Sequence, residues 1–119
     1  MYSAIFNVTF DCHDARVVSA FWSAVTGYSL EQASTPGNEF WVASPPAGGW
    51  PRIVFVTVPE RKVVKNRVHI DVMPINGDQD EEVNRLLGLG ATVVDDRRKL
   101  DPGDWVVLAD PEGNEFCVE

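Results

Sequence analysis

The sequence has little cysteine, few basic residues and no long apolar run. Its 119 residues include two cysteines, two histidines and ten Lys or Arg against eighteen Asp or Glu. The longest uncharged stretch, residues 17–30, is interrupted by Ser, Thr, Gly and Tyr, and no basic segment precedes an apolar one near Met1. This pattern argues against a secreted or membrane-spanning protein. We expect a cytoplasmic protein without a membrane partner, in which Cys12 and Cys117 are reduced thiols.

The net charge of −8 argues against a nucleic-acid partner. Such binding depends on Lys and Arg neutralising phosphates, and an acidic surface repels them. The same charge is compatible with a cationic small-molecule ligand. The chain length and the hydrophobic fraction of 45% predict a single domain over residues 1–119.

Alternation and helical spacing predict a strand, a helix and three strands in the first half. Residues 4–10 alternate between apolar and polar, as in a half-buried strand. Asp14 is the expected N-cap of a helix that buries Trp22 and ends at Gly27. Three further strands are predicted, near 28–33, 39–44 and 52–58.

The second half repeats this order. Residues 67–72 alternate, with Val68, Ile70 and Val72 on one face and Arg67, His69 and Asp71 on the other. A helix follows from about Asp78 to Leu89, with acidic residues in its first turn and Gly90 at its end. Strands at 91–96 and 104–109 lead through the turn Asp110-Pro-Glu-Gly-Asn114 into a last strand at 115–119.

Landmarks in the two halves are separated by nearly constant distances: 62 residues from Asn7 to His69, 63 from Gly27 to Gly90, and 64 from Trp41 to Trp105. We therefore predict an α+β fold of two tandem βαβββ modules, about 1–60 and 66–119. They are expected to form one curved, mostly antiparallel sheet with the helices outside. The residues expected beneath the helices are Phe6, Val8, Val68, Ile70, Leu108 and Phe116.

Three segments resemble those of a known superfamily: FWSAVTG at 21–27, VPERKVVKNRVHIDV at 58–72 and WVVLADPEGNEFCV at 105–118. With the repeat, they resemble the vicinal oxygen chelate superfamily, in its glyoxalase-like, bleomycin-resistance-like and extradiol dioxygenase-like branch. The resemblance spans nearly the whole chain and implies a cleft in which His, Glu or Gln side chains hold a divalent metal.

The ligand positions implied by the resemblance fall on Asn7, His69 and Cys117. The fourth falls on Phe55 by the repeat offset or on Val56 by the local pattern of the family, and neither can bind a metal. A catalytic metal needs about three protein ligands and an open position. We therefore expect no metal and no other cofactor, and no catalytic residue is assigned, while a divalent metal at this place stays the alternative.

The hairpin at 110–114 and the repeat indicate that Trp105 and Trp41 flank the cleft. The function expected from these observations is binding of a small apolar or aromatic molecule. The alternatives are a metal-dependent lyase, isomerase or dioxygenase, and a drug-sequestering or regulatory interaction module. A homodimer is expected. The ligand-binding residues expected in the cleft are Asn7, Trp41, Val56, His69, Trp105 and Cys117.

Overall fold

The computed structural model describes residues 1–36 and 38–119, with the backbone but not the side chain of Asn38. By internal packing the chain divides into two compact units, Met1–Arg61, the first module, and Lys62–Glu119, the second. The prediction of one domain over the whole chain stays a prediction. No helix within the described residues is long and apolar enough to span a membrane.

Each module is a βαβββ unit with its own four-stranded mixed sheet, which confirms the predicted pair of modules. The sheet orders are β1-β4-β3-β2 and β5-β8-β7-β6, with the first and last strand of each module parallel and the other pairs antiparallel. Continuity of the two sheets stays a prediction. The elements are β1 (Asn7–Cys12), α1 (Ala15–Thr26), β2 (Ser29–Thr35), β3 (Asn38–Ser44), β4 (Arg52–Thr57), β5 (Asp71–Val72), α2 (Gln79–Leu89), β6 (Thr92–Asp96), β7 (Val106–Ala109) and β8 (Glu115–Val118).

The helix ends are where local chemistry predicts them. The Asp14 carboxylate accepts a hydrogen bond from Val17 N at 3.2 Å, and Gly27 ends α1 at φ 72°. At α2, Asp78 and Glu81 form a reciprocal capping box, and Gly90 follows at φ 116°. A side chain that accepts from the first-turn amides satisfies donors that the helix leaves unpaired.

An aromatic cluster fills the space between α1 and the first sheet. Phe10 lies 5.5 Å from Trp22 of the helix and 5.3 Å from Phe55 of β4, measured between ring centroids. Trp22 is 1% and Phe55 0% exposed. The predicted packing role of Trp22 is confirmed, and Phe55 belongs to the core under the helix.

In the second module, α2 contributes Val83 and Leu86 to the core, at 1% and 0% exposure. Leu108 and Phe116, both 0% exposed, are buried as predicted. Period-2 alternation places their neighbours Val107 and Cys117 on the opposite face of the sheet.

Two core expectations were wrong, because Phe6 is 54% and Val68 78% exposed. Phe6 precedes β1, and its ring lies under the Arg52 guanidinium at 4.4 Å. Val68 precedes β5, which is shorter than the strand predicted at 67–72. Val8 and Ile70 are partly buried.

Asn66 explains the short β5. Its Oδ1 accepts a hydrogen bond from Glu115 N at 2.9 Å, and its Nδ2 donates one to Glu115 O at 3.2 Å. The Asn66 side chain therefore occupies the backbone N–H and C=O of Glu115, which would otherwise pair with a residue before Asp71 in a longer β5. Backbone pairing with β8 begins only where Cys117 N donates to Ile70 O at 3.0 Å.

Replacing Phe55 by Ala should lower the free energy of unfolding by about 3 to 5 kcal/mol, because it opens a cavity inside a fully packed aromatic cluster. Val56→Ala, at a partly exposed position of the opposite face, should cost less than half as much. Chemical denaturation of both variants measures the difference. Equal losses would show that the assignment of the two faces of β4 is wrong.

Candidate functional site

The second module presents an open cavity of about 400 Å³ on the sheet face opposite its buried core. Cys117 stands at its centre, because β8 pairs on one side with β5 and on the other with β7. Asp71 and Val107 are its direct neighbours in the two registers. Residues paired directly across a ladder point to the same face, so these three side chains share the cavity. The side chains that line the cavity include Lys65, His69, Asp71, Trp105, Val107 and Cys117.

The turn before β8 fixes this arrangement. Asp110 is 3% exposed, and its Oδ1 accepts from Glu112 N and Asn114 N, each at 2.9 Å. Its backbone N donates to Asn114 O at 2.9 Å, and Gly113 adopts φ 92° within the turn. A buried carboxylate with its acceptor capacity used by amides makes the turn rigid. The hairpin expected at 110–114 therefore forms, and it pairs Val107 with Cys117.

The cavity is acidic. Asp71, Glu115 and Glu119 line it, whereas the lining Lys65 already forms an ion pair with Glu115 at 2.5 Å. Val107 and Trp105 supply the apolar part of the cavity lining. The Arg97 guanidinium lies over the Trp105 ring, 5.7 Å from its centroid.

His69 and Asp71 alternate along one segment and therefore project together. His69 Nε2 lies 3.3 Å from Asp71 Oδ1, and each side chain is 52% exposed. The pair can bind a ligand group by accepting or donating hydrogen bonds, since neither side chain is enclosed by the protein.

Cys117 is a buried thiol that resists ionisation. Burial, followed by the negative charges of Asp71 and Glu119 and a hydrogen bond to Asp71, raises its pKa to about 11. Since the thiolate is the nucleophilic form, the metal-free site does not present an activated cysteine.

One cluster in the described part of the chain brings potential metal donors together. The imidazole of His69, the carboxylate of Asp71 and the sulfur of Cys117 offer atoms that all lie within 4.8 Å of one another. The donor set is suited to a divalent ion that accepts nitrogen, oxygen and sulfur. The expectation of no metal is therefore not confirmed, because it counted Asn7 as the third donor and omitted Asp71.

The structure brings three of the six predicted ligand-binding residues, His69, Trp105 and Cys117, to this cavity. Asn7 and Val56 belong to the first module and share a face of its sheet, where Asn7 Oδ1 accepts from Arg52 Nε at 2.9 Å. Their part in binding stays a prediction.

Trp41 does not share the face of Asn7 and Val56. It pairs directly with Phe55, so it lies on the side of the sheet that α1 covers. Trp105 instead lines the open cavity of the second module. The two tryptophans therefore lie on opposite kinds of sheet face, and the assumed equivalence of Trp41 and Trp105 was wrong. A slip of one residue in a strand reverses its faces.

The sequence left the fourth-strand position open between Val56 and Phe55. Val56 lies on the face of the sheet that also carries Asn7 and Val54, and its part in binding stays a prediction. The alternative, Phe55, lies in the core. Sequence reasoning also missed Asp71, although its place two residues after His69 already put both side chains on one face.

A second cavity in this module, of about 610 Å³, is lined by Asp80, Asp96, Arg98 and Lys99 among others. Arg98 pairs with Asp80 at 2.7 Å and with Asp96 at 2.6 Å. Because its charge is already balanced by two carboxylates, this surface offers less for a ligand than the cavity at Cys117.

A sequence model described as a glyoxalase-like domain matches residues 7–119. The chain therefore belongs to the glyoxalase-like domain family. One similar solved structure is described as a member of the glyoxalase, bleomycin resistance and dioxygenase superfamily, the group that the resemblance named. No curated protein sequence matches the chain significantly.

Among similar solved structures is the fosfomycin resistance protein FosX from Mesorhizobium loti, with 15% identity, a TM-score of 0.75, and coverage of 100% of this chain and 92% of that one. An E126Q mutant of FosX from Listeria monocytogenes, complexed with Mn(II) and 1S,2S-dihydroxypropylphosphonic acid, has 15% identity, a TM-score of 0.76, and 100% and 93% coverage. A superfamily member from Sphaerobacter thermophilus has 18% identity, a TM-score of 0.70, and 98% and 96% coverage. At these identities the likeness shows the fold.

The raised pKa of Cys117 predicts slow alkylation. A thiol pKa raised from the ordinary 9.0 to about 11 lowers the thiolate fraction at neutral pH about 100-fold. With a chelator present, iodoacetamide should modify Cys117 of the folded protein far more slowly than in denaturant, with a rate that still rises above pH 10. Asp71→Asn should accelerate the reaction, because it removes a negative charge beside the sulfur.

Mass spectrometry assigns the modified cysteine, and Cys12, which is 0% exposed, serves as the buried internal control. The folded thiol holds its proton more tightly than the unfolded one. The protonated Cys117 thiol therefore makes its full contribution to the free energy of unfolding below pH 9, and this contribution is lost as the pH rises toward 11. Rapid alkylation of Cys117 at pH 7 would contradict this account.

Proposed function

We propose that the chain binds a small organic molecule in the cavity of its second module. The observation that supports this most is the combination of an aromatic wall with two exposed polar groups in one concavity: Trp105 beside His69 and Asp71. A volume of about 400 Å³ falls in the range of small-molecule sites, about 300 to 1,000 Å³. Trp105 and Val107 supply apolar contact, and the polar pair sets the orientation of the ligand.

The ligand is an apolar or aromatic molecule that carries a positive charge. Three carboxylates surround the cavity, while Lys65 is already paired with one of them. An anion such as the phosphonate bound by the Listeria protein would be repelled by these groups, whereas an organic amine would be attracted. The same preference fits a drug-sequestering role, which is one of the alternatives that the sequence left open.

A second candidate function is a metal-dependent reaction of the lyase, isomerase or dioxygenase type. It is favoured by the cluster of His69, Asp71 and Cys117 and by the manganese in the FosX complex. The metal content of the purified protein separates this candidate from binding alone. A regulatory interaction module is less favoured, because the cavity is open.

Matched aromatic ligands of opposite charge test the proposed function. Phenethylamine should bind to the metal-free protein more tightly than phenylacetate, because only the amine complements Asp71, Glu115 and Glu119. Trp105→Ala should weaken amine binding by about 1 to 3 kcal/mol through loss of aromatic contact. Isothermal calorimetry or ligand-observed NMR measures both effects.

Trp50→Ala is the matched control, since Trp50 is 66% exposed and belongs to the first module. It should leave the affinity for phenethylamine unchanged. Tighter binding of phenylacetate, or equal losses in the two tryptophan variants, would exclude this cavity as the recognition site.

We further propose that the protein is a cytoplasmic homodimer. Two buried thiols suit a reducing compartment. The exposed apolar side chains of Val63, Val64 and Val68 in the second module support association, because exposed apolar surface is stabilised by contact with another copy.

Sedimentation velocity should give the mass of two chains at micromolar concentration. Val68→Asp should shift the equilibrium toward one chain, while Val93→Asp, on the edge strand β6, is a control for an added charge at a similarly exposed valine. A single-chain mass for the unmodified protein at high concentration would rule out the dimer.

A further inference from the structure

We propose that Asn76, in the loop between β5 and α2, is a site of spontaneous deamidation in the folded protein, and that its isoaspartyl product weakens the first turn of α2. Asn76 is the only asparagine of the sequence that a glycine follows. The site lies outside the cavity at Cys117 and does not depend on the proposed function.

The reaction needs no reactant other than water. The backbone nitrogen of Gly77 gives up its proton and attacks Cγ of Asn76. A bond forms between these two atoms, the Cγ–Nδ2 bond breaks, and the amide leaves as ammonia with that proton. The resulting succinimide ring takes up water at either carbonyl carbon. Opening at Cγ gives aspartate, and opening at the backbone carbonyl carbon gives isoaspartate, in which the main chain runs through Cβ and Cγ.

Both partners of this reaction are accessible. Asn76 and Gly77 are exposed and lie in a bend of the chain. Within the described residues, no hydrogen bond holds the Asn76 amide or the Gly77 N–H. Gly77 has no β-carbon to hinder the approach of its nitrogen to Cγ. An exposed loop also samples the backbone conformations that ring closure requires.

Two other asparagines are in the opposite situation. The Asn66 amide donates to Glu115 O at 3.2 Å, and the Asn114 amide donates to Asp110 Oδ2 at 2.9 Å. The nitrogen that would attack Asn114 is Glu115 N, which donates to Asn66 Oδ1 at 2.9 Å. The residue after Asn66 is Arg67, which carries a long side chain. The fold therefore protects these two amides and leaves the Asn-Gly step open.

The start of α2 explains why a glycine stands at position 77. Its φ of 79° lies in the left-handed region that glycine favours. A β-carbon there would collide with Glu81 Oε2, the atom that accepts from Asp78 N at 3.0 Å as half of the capping box. A side chain at 77 would therefore disturb the helix start. The fold requires the glycine that permits deamidation, whereas replacement of Asn76 breaks no hydrogen bond within the described residues.

The isoaspartyl product alters the chain just before this capping box. It inserts one carbon into the main chain, about 1.5 Å of extra length, and adds a carboxylate close to Asp78 and Glu81. The altered segment positions Asp78, so its reciprocal hydrogen bonds with Glu81 are weakened. Gln79, in the same turn, donates to Asp104 O at 2.7 Å and to Val118 O at 3.1 Å. The first turn of α2 is thus tied to two other segments of the module.

Incubation of the folded protein at mildly alkaline pH tests the reactivity of Asn76. Peptide mass spectrometry should show a gain of about 1 Da at Asn76, at a rate about 10-fold or more above those at Asn66 and Asn114. A protein isoaspartyl methyltransferase should label the incubated chain, and Asn76→Ser should remove this label. An unmodified Asn76, or equal rates at the three asparagines, would overturn the proposed site.

Thermal unfolding tests the effect on α2. Ion exchange isolates the isoaspartyl form, and the Asn76→Asp variant is the matched control, because it carries the same added charge on an unaltered main chain. The isoaspartyl form should unfold about 2 to 8 °C below the unmodified protein, and Asn76→Asp should shift less than half as far. Equal melting temperatures of the isoaspartyl form and Asn76→Asp would refute the weakened helix start.

Discussion

The position of β8 between β5 and β7 determines which side chains meet on the second module. Parallel pairing puts Asp71 beside Cys117, and antiparallel pairing puts Val107 on its other side. The antiparallel register depends on the turn that the buried Asp110 carboxylate holds before β8, and the parallel one on the hydrogen bond from Cys117 N to Ile70 O. A slip of one residue would turn Cys117 toward α2 and Phe116 toward the cavity, which would remove both the thiol and the core ring from their places.

Features set by local chemistry could be predicted from the sequence. The helix ends at Asp14, Gly27 and Gly90 follow from capping, and the turn at Asp110 fixes its own hairpin because the loop is short. That hairpin is the reason that Trp105 and Cys117 were correctly placed on one cavity. The prediction at Trp41 relied instead on a constant repeat offset, and Val56 was placed by the local pattern of the family.

The offset is not constant in space. Trp41 pairs with Phe55 on the covered face of the first sheet, whereas Trp105, 64 residues later, lines the open cavity of the second module. Loops of different length shift each strand independently, and in a period-2 structure a shift of one residue reverses a side chain. The exposure of Val68 was unpredictable for another reason: the Asn66 side chain takes backbone partners from β8 that a longer β5 would have used.

The two modules have diverged in how they satisfy their polar faces. On the first, Asn7 accepts from Arg52, whose guanidinium also lies over Phe6, so the polar groups are bound to one another. On the second, His69 and Asp71 are half exposed beside a thiol that burial and carboxylates keep protonated. Burial, and after it the carboxylates around the sulfur, raises the pKa of Cys117, and the same carboxylates attract a cation. A bound cation would reverse the balance at Cys117 by stabilising the thiolate that Asp71 and Glu119 disfavour.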